Sequence, residues 1–373
     1  MIIDKISQIE LELTTKCNAR CPQCVRNYYG AYTWPNLPIV DLDINTLKQS
    51  INSKIWADLD HLRLCGTYGD PCMHRDLIKI IKWIKTVSPT AITINTNGGI
   101  RTAKWWGELA GILDSNKDTV VFGLDGLADT NHLHRIGVNY NKVIENLKAF
   151  NQAGGKSVWQ FLVFEHNEHQ VDTARNFALS IGCAEFSYKL TSRFVDKTHK
   201  LIDKSPVVND QGDPIYFLKP AKNSKYKNQG YDIFKETTKL FDGYDNYLKT
   251  TAIDCFSKRM QYIAITAEGY VFPCAWLADR LYGYETEKHK DHDTILKMID
   301  IIGGKEKINL KYTDLNSIIS GPWFALVENS WKTNELERCA HICGSRSNLI
   351  QAASEGQFKS LIDPKVKNDN ISN

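Results

Sequence analysis

The stretch Cys17-Asn-Ala-Arg-Cys21-Pro-Gln-Cys24, inside "LELTTKCNARCPQCVRN", puts three cysteines within eight residues, directly after a run "QIELEL" that reads as a β-strand. The spacing is C-x3-C-x2-C. A closed zinc site takes four protein ligands, usually as two short-spaced pairs, and no fourth Cys or His lies inside this loop. A 4Fe-4S cube suits the triplet better, because three thiolates bind three irons and leave the fourth open to another ligand. An open iron on a reducible cluster is a place for chemistry.

Outward from that loop, to about residue 195, short β-rich runs alternate with amphipathic helical patterns, the signature of repeated β/α units and a parallel sheet. The strand candidates are "QIELEL", "HLRLCG", "AITINT", "VVFGLD", "VWQFLVF" and "AEFSYKL". Between them lie helical segments such as "RDLIKIIKWIKTV" and "NKVIENLKAFNQAGG", the second with Val143, Ile144, Leu147 and Phe150 on one face and glycines at its end. Six parallel strands either close partway into a barrel or lie flat as a doubly wound sheet, and periodicity does not separate the two. In both, the carboxyl ends of the strands form the site. There stand the cysteine loop, "GTYGDP" after the second strand, "NTNGG" after the third and "DG" after the fourth.

The 373 residues are 42% hydrophobic and 24% charged, enough for a large core, and the net charge of +3 points to neither a polyanion nor a membrane surface as partner. A nucleic-acid partner is therefore not expected. No apolar run approaches the roughly 18 residues of a membrane span, and "MIIDKISQIE" has neither the basic start nor the apolar centre of a signal peptide. The expected location is cytoplasmic. Ten cysteines in a reducing compartment point to metal or redox chemistry rather than disulfides.

The C-x3-C-x2-C loop after a first strand resembles the radical S-adenosylmethionine (SAM) superfamily, and the resemblance implies an α/β fold, a partial (β/α)6 TIM-like barrel. In that family Cys17, Cys21 and Cys24 would hold a 4Fe-4S cluster whose open iron is chelated by SAM. Its electron cleaves the sulfonium to a 5'-deoxyadenosyl radical, which abstracts a hydrogen atom from substrate. The family's Gly-Gly-Glu-Pro, which binds the SAM amino group, is replaced here by Gly66-Thr-Tyr-Gly69-Asp70-Pro71. Gly69 and Asp70 fall on that motif, with a shorter acid. "INTNGG" resembles the position that contacts the SAM ribose or carboxylate, through Asn95, Thr96 or Asn97. In "GLDGLADTNHLHRIG" the resemblance places Asp125 and Arg135 beside the site, with a surface ion pair as the alternative. His132 and His134 read as solvated loop histidines.

The late cysteines continue the likeness. In "CFSKRMQYIAITAEGYVFPC" the run after Gln261 reads as a hairpin around "AEG" that brings Cys255 and Cys274 together, and Cys339 and Cys343 follow in "ERCAHIC", on or beside a helix. This C-x13-G-x4-C with a later pair is similar to the SPASM and twitch extensions, which carry auxiliary 4Fe-4S clusters. Four cysteines fit the shorter twitch type with one cluster. A structural zinc site is the alternative, and His341 leaves a mixed ligand set open. The expected domains are a barrel over 1–195, a polar insertion or linker over 196–250, a smaller cysteine-bearing α+β domain over 251–346, and a tail over 347–373. Cys65, Cys72 and Cys183 read as small core hydrophobes, with Cys72 the candidate for the active-site rim, and Trp83, Trp105 and Trp106 as helix packing.

The resemblance implies an enzyme acting on a peptide or small-molecule substrate with an electron donor such as flavodoxin or ferredoxin. The cluster loop begins sixteen residues from the start, so no N-terminal leader-binding module is expected, which leans toward a small molecule or an unaided peptide. No residue stands out as the catalytic partner of a substrate radical. The rival reading is a non-enzymatic α/β protein with structural zinc, binding a partner through the lysine-rich "KPAKNSKYKNQG".

Overall fold

The computed structural model describes residues 5–191, 193–194, 201–228, 230–282 and 290–344. The tail expected over 347–373 lies outside the described residues. The chain divides into two compact units, one comprising Ile9–Lys227 with Ile265–Tyr270 and the other the remaining chain.

The first unit is built on β1 (Gln8–Leu11), β2 (His61–Leu64), β3 (Ala91–Thr96), β4 (Thr119–Gly123), β5 (Ser157–Val163) and β6 (Glu185–Leu190). These are the six expected strands, with ends displaced by a residue or two. They lie side by side in sequence order, and β2 to β6 pair in parallel throughout. A doubly wound sheet would reverse its strand order at a switch point. Sequential order with one sense of crossover is the winding of a partial barrel, so the ambiguity left by periodicity resolves that way.

Alternation along the strands divides the sheet into two faces. Leu62, Leu64, Ile92, Ile94, Phe122 and Trp159 are fully buried, and they share the face on which the helices pack. The helix Leu77–Val87 buries Leu77, Ile80, Ile81 and Ile84 at helical spacing, and it ends at Ser88 where Pro89 follows. The helix Tyr140–Gln152 is capped by Asn139, whose side chain accepts from the Lys142 amide, and buries Val143, Ile144, Leu147 and Phe150. Trp106 and Phe122 meet with ring centres 4.9 Å apart, and Trp83 sits edge-on to Trp56, so the helix tryptophans are packing residues.

The polar stretch 196–250 carries more order than a linker would. Ser205–Val208 and Pro214–Leu218 form an antiparallel hairpin within the barrel unit, with Val207 and Leu218 buried, whereas the helices Gly230–Leu240 and Tyr244–Thr250 belong to the other unit. Lys219 and Lys222 of the lysine-rich run both approach Glu165, at 3.6 and 2.5 Å, which uses their charge internally. Tyr262–Ile265 and Val271–Phe272 are neighbouring hydrogen-bonded strands around a turn that needs Gly269 at φ +93°, the hairpin expected from "AEG".

One buried side chain ties a helix to the loop that follows β3. Asn146, fully buried on Tyr140–Gln152, donates through Nδ2 to the Gly98 and Ile100 carbonyls at 2.8 and 2.9 Å. Asn146→Ala strands both acceptors, and a loss of about 1–3 kcal/mol is expected in urea unfolding. An unchanged midpoint would show that these bonds do not hold the loop.

Candidate active site

The loop after β1 carries Cys17, Cys21 and Cys24, and two of its sulfurs are met by side chains from two other strand ends. Asn97 Nδ2, after β3, lies 3.9 Å from Cys17 Sγ, and the Ala19 amide reaches the same sulfur at 3.4 Å. Arg135, after β4, places a guanidinium nitrogen 4.0 Å from Cys21 Sγ. Burial pushes the Cys17 thiol up to about 12 and the Cys21 thiol up to about 11, the second against the pull of Arg135. Desolvated thiols of this kind become thiolates only when a cationic group shares their space.

Asp70 is the hub behind Cys17. Its carboxylate accepts from the Cys72 and Asn97 amides, from Thr96 Oγ1 and from Asn97 Nδ2, all at 2.7–3.0 Å, and Asn97 Nδ2 also donates to Asn18 Oδ1. Burial still raises its pKa. The expected trio Asp70, Thr96 and Asn97 is therefore brought together, but on one another. Asp70 ties the loops after β2 and β3 into one piece. Asn95 stands one step back on β3, next after the Leu64–Ile94 pair, and its side chain acts on Cys65.

Gly69 explains the glycine of "GTYGDP". A Cβ there would stand 1.7 Å from the Thr14 carbonyl oxygen, so only glycine lets this loop lie against the loop that leads to the cysteines. The close approach is fixed by Glu12, whose Oε1 accepts from the Tyr68 and Gly69 amides at 2.7 and 3.1 Å. Burial lifts Glu12 to about 7 although both amides pull the other way.

Asp125 is fully buried, and it is neither solvated nor part of a surface pair. Arg135 Nε donates to its Oδ2 at 2.5 Å, His134 Nδ1 lies 2.7 Å from the same oxygen, and the Leu162 amide donates to Oδ1 at 2.8 Å. A carboxylate only accepts, so Nδ1 carries the proton of a neutral His134. Burial works to raise Asp125, yet the Arg135 guanidinium and His134 hold it well below the ordinary carboxylate range. Arg135 lies over Gly123, where a Cβ would meet its guanidinium at 2.6 Å. The solvated-loop expectation holds for exposed His132 and is corrected for His134, which is 5% exposed. Cys72 is also corrected: it is wholly buried, and the partly exposed thiol on the polar face is Cys65.

In the second unit Cys255, Cys274, Cys339 and Cys343 line one small cavity with Trp276 and Trp331. Cys255 and Cys274 are the N-cap residues of two short helices, Phe256–Arg259 and Ala275–Ala278. Cys339 and Cys343 stand four apart on the helix Glu337–Cys343 and so share a face. Cys255 and Cys343 interact with one another across the cavity, which lowers Cys255 and raises Cys343. Trp331 Nε1 is buried with no hydrogen-bond partner and faces the Cys339 sulfur, a donor that a sulfur-rich group would satisfy. His341 bonds Tyr244 instead and is not part of the cavity lining. Among the described residues no three His, Cys, Asp or Glu side chains converge so as to hold a single metal ion.

A family model described as the radical SAM superfamily matches residues 11–178, from the end of β1 to the helix before β6. Over that stretch the chain is similar to the radical SAM superfamily. It is similar to a GTP 3',8-cyclase of Nautilia profundicola, 24% identical over 75% of this chain and 85% of that one, and to a probable GTP 3',8-cyclase of Sulfurisphaera tokodaii, 25% identical over 74% and 83%. In fold it resembles the crystal structure of Streptococcus suis SuiB bound to S-adenosylmethionine, with a TM-score of 0.50 at 15% identity, covering 93% of this chain and 74% of SuiB. No described helix is long and apolar enough to cross a membrane.

Glu12, Asn18, Arg63 and Lys189 are polar site residues that motif reading passed over. The signal was available in part, since "IELEL" and "HLRLC" put charge on alternate strand positions where one face must be polar. For Glu12 the raised pKa gives a sign. Between about 4.5 and 7 the folded chain holds a proton that the unfolded chain has lost, so stability falls as pH rises through that window. Glu12→Gln removes the dependence, and the wild type is expected to lose on the order of 3 kcal/mol more than the variant between pH 5 and 8. Parallel pH profiles of the two urea midpoints would contradict this.

Proposed function

We propose that this radical SAM enzyme cleaves SAM reductively and uses the 5'-deoxyadenosyl radical to take a hydrogen atom from a small-molecule substrate, with an auxiliary cluster in the second unit. The observation that carries the reading is the convergence on the C-x3-C-x2-C loop of the Asp70–Asn97 network and of Arg135. Cys17, Cys21 and Cys24 would hold a 4Fe-4S cluster, which with bound SAM supplies the radical. Arg135 offsets thiolate charge at Cys21, and Asp125 fixes its direction. Asp70 positions Thr96 and Asn97 beside Cys17, and Gly69 lets the loop approach, so these are positioning residues on the SAM side, with Asn95 behind them.

The four thiols around one cavity and the unsatisfied Trp331 N–H support an auxiliary 4Fe-4S cluster at Cys255, Cys274, Cys339 and Cys343, a twitch-like arrangement. A single structural zinc fits less well, because no three of the described donors meet at a point. A small molecule is favoured over a peptide by the names of the sequence relatives, which act on GTP as named. An electron donor of the flavodoxin or ferredoxin kind completes the requirement, and a cytoplasmic location accords with that reductant.

The test is anaerobic reconstitution followed by iron and sulfide counting and an assay of 5'-deoxyadenosine released from SAM under reductant. About eight irons per chain are expected, four per cube. Cys17→Ala/Cys21→Ala/Cys24→Ala should abolish nucleoside release and leave about four irons, and Cys274→Ala/Cys339→Ala should remove the other set. Zinc in place of iron, with SAM intact, would sink the reading.

A further inference from the structure

In the helix Glu337–Cys343 the amides of Glu337 and Arg338 come too early to be filled by its own carbonyls, and its N-cap, Leu336, has no side chain to fill them. Asp291 does so from outside. It sits in the first turn of the helix Lys290–Ile301, is buried, and accepts from the Glu337 amide with Oδ1 and from the Arg338 amide with Oδ2, both at 2.8 Å. Arg338 then folds back, donating through Nε to the Trp276 carbonyl at 3.3 Å and through Nη2 to Asp279 Oδ2 at 3.1 Å. The residue directly before Cys339 is thus held at its amide and at its guanidinium. The Cys339 sulfur is fixed on the cavity as a result.

Trp331 lines the same cavity as Cys339. The chain runs from one to the other through a turn closed by the Glu335 amide on the Ser330 carbonyl at 3.1 Å, and Asn334 Nδ2 ties that turn to the Thr251 carbonyl at 2.8 Å. An indole N–H can only donate, and Trp331 Nε1 is buried with no described partner. A buried donor left unanswered is costly. The other side chains around the cavity are apolar or, like Trp276 and Arg338, donors only, which leaves the four cysteine sulfurs as side-chain acceptors. Burial raises the Cys339 thiol, and the Trp331 side chain works against that rise.

We infer that Trp331 Nε1–H donates to the cluster sulfur at Cys339 and sets the reduction potential of the auxiliary 4Fe-4S cluster, with Asp291 as the positioning residue that keeps that sulfur before the indole. A hydrogen bond to a cluster sulfur favours the reduced state, which carries more negative charge, and so raises the potential. The inference rests on the auxiliary cluster proposed above for this unit.

The test is an EPR-monitored redox titration of reconstituted Cys17→Ala/Cys21→Ala/Cys24→Ala protein, in which the second set of ligands stands alone. In that background Trp331→Phe keeps a ring in the cavity and removes the N–H. It should load about four irons, as the background does, and shift the midpoint potential downward. Lys332→Gln, which removes an exposed charge next in sequence, should leave the potential in place. If Trp331→Phe does not load, protein labelled at the tryptophan indole nitrogen, in a Trp276→Phe background, should show a coupled nitrogen in pulsed EPR of the reduced cluster, and its absence overturns the donor. Background protein that binds no iron would sink the auxiliary cluster and the donor together. Loaded Trp331→Phe with an unmoved potential would sink the donor alone.

Discussion

The fully buried carboxylate of Asp125 is the constraint around which the barrel site is arranged. A desolvated charge persists only if its lone pairs are filled, and here they are filled by Arg135, by His134 and by the Leu162 amide of the neighbouring strand. The backbone around it is spoken for as well. Its amide donates to Asn131 Oδ1, and its carbonyl accepts from Asn167 Nδ2. Strand β4, the loop behind it and the end of β5 are thereby locked to one oxygen pair. Removing either charge would leave the other uncompensated in the interior, which is costlier than replacing both.

The functional content of that lock is the direction of one guanidinium. Arg135 crosses Gly123 because glycine leaves room, bonds Asp125 with Nε, and so has its terminal nitrogens free to face Cys21. A lysine at 135 would deliver a charge without the fork that fixes its aim. Glycine has a parallel role across the site, where Gly69 permits contact with the Thr14 carbonyl and Glu12 ties the amides of that turn. Both glycines are required by close approach of other atoms, and neither by a left-handed backbone.

Fold and cluster loop were legible in the sequence because both depend on local patterns. Six strand runs, two strongly periodic helices and a three-cysteine spacing each sit within a window of about ten residues. Strand order was not legible, since sequential and doubly wound sheets share the same periodicity and differ only in which edges meet. The burial of His134 was missed for a similar reason. Its partner Asp125 lies nine residues away on the far side of a turn, and nothing local distinguishes a histidine that closes back on a buried acid from one in water. Glu12 was hidden by its own strand, because a period-two pattern says that one face is polar without saying what that polarity meets.

The two cysteine sets are supported by different physics. In the barrel, thiols on an irregular loop are raised by burial, and the groups that favour their ionised form, Asn97 and Arg135, come from distant strand ends. In the second unit the placement is local: two cysteines stand at the N-caps of short helices, and the other two share one helical face. A site whose ligands rely on long-range side chains responds to changes at those strand ends, as an open, reactive centre must. A site whose ligands are set by helix starts and helix spacing is insulated from such changes. That difference follows from where the supporting groups are anchored, and it accords with the proposed reading of a reactive centre in the barrel and a closed one at the late cysteines.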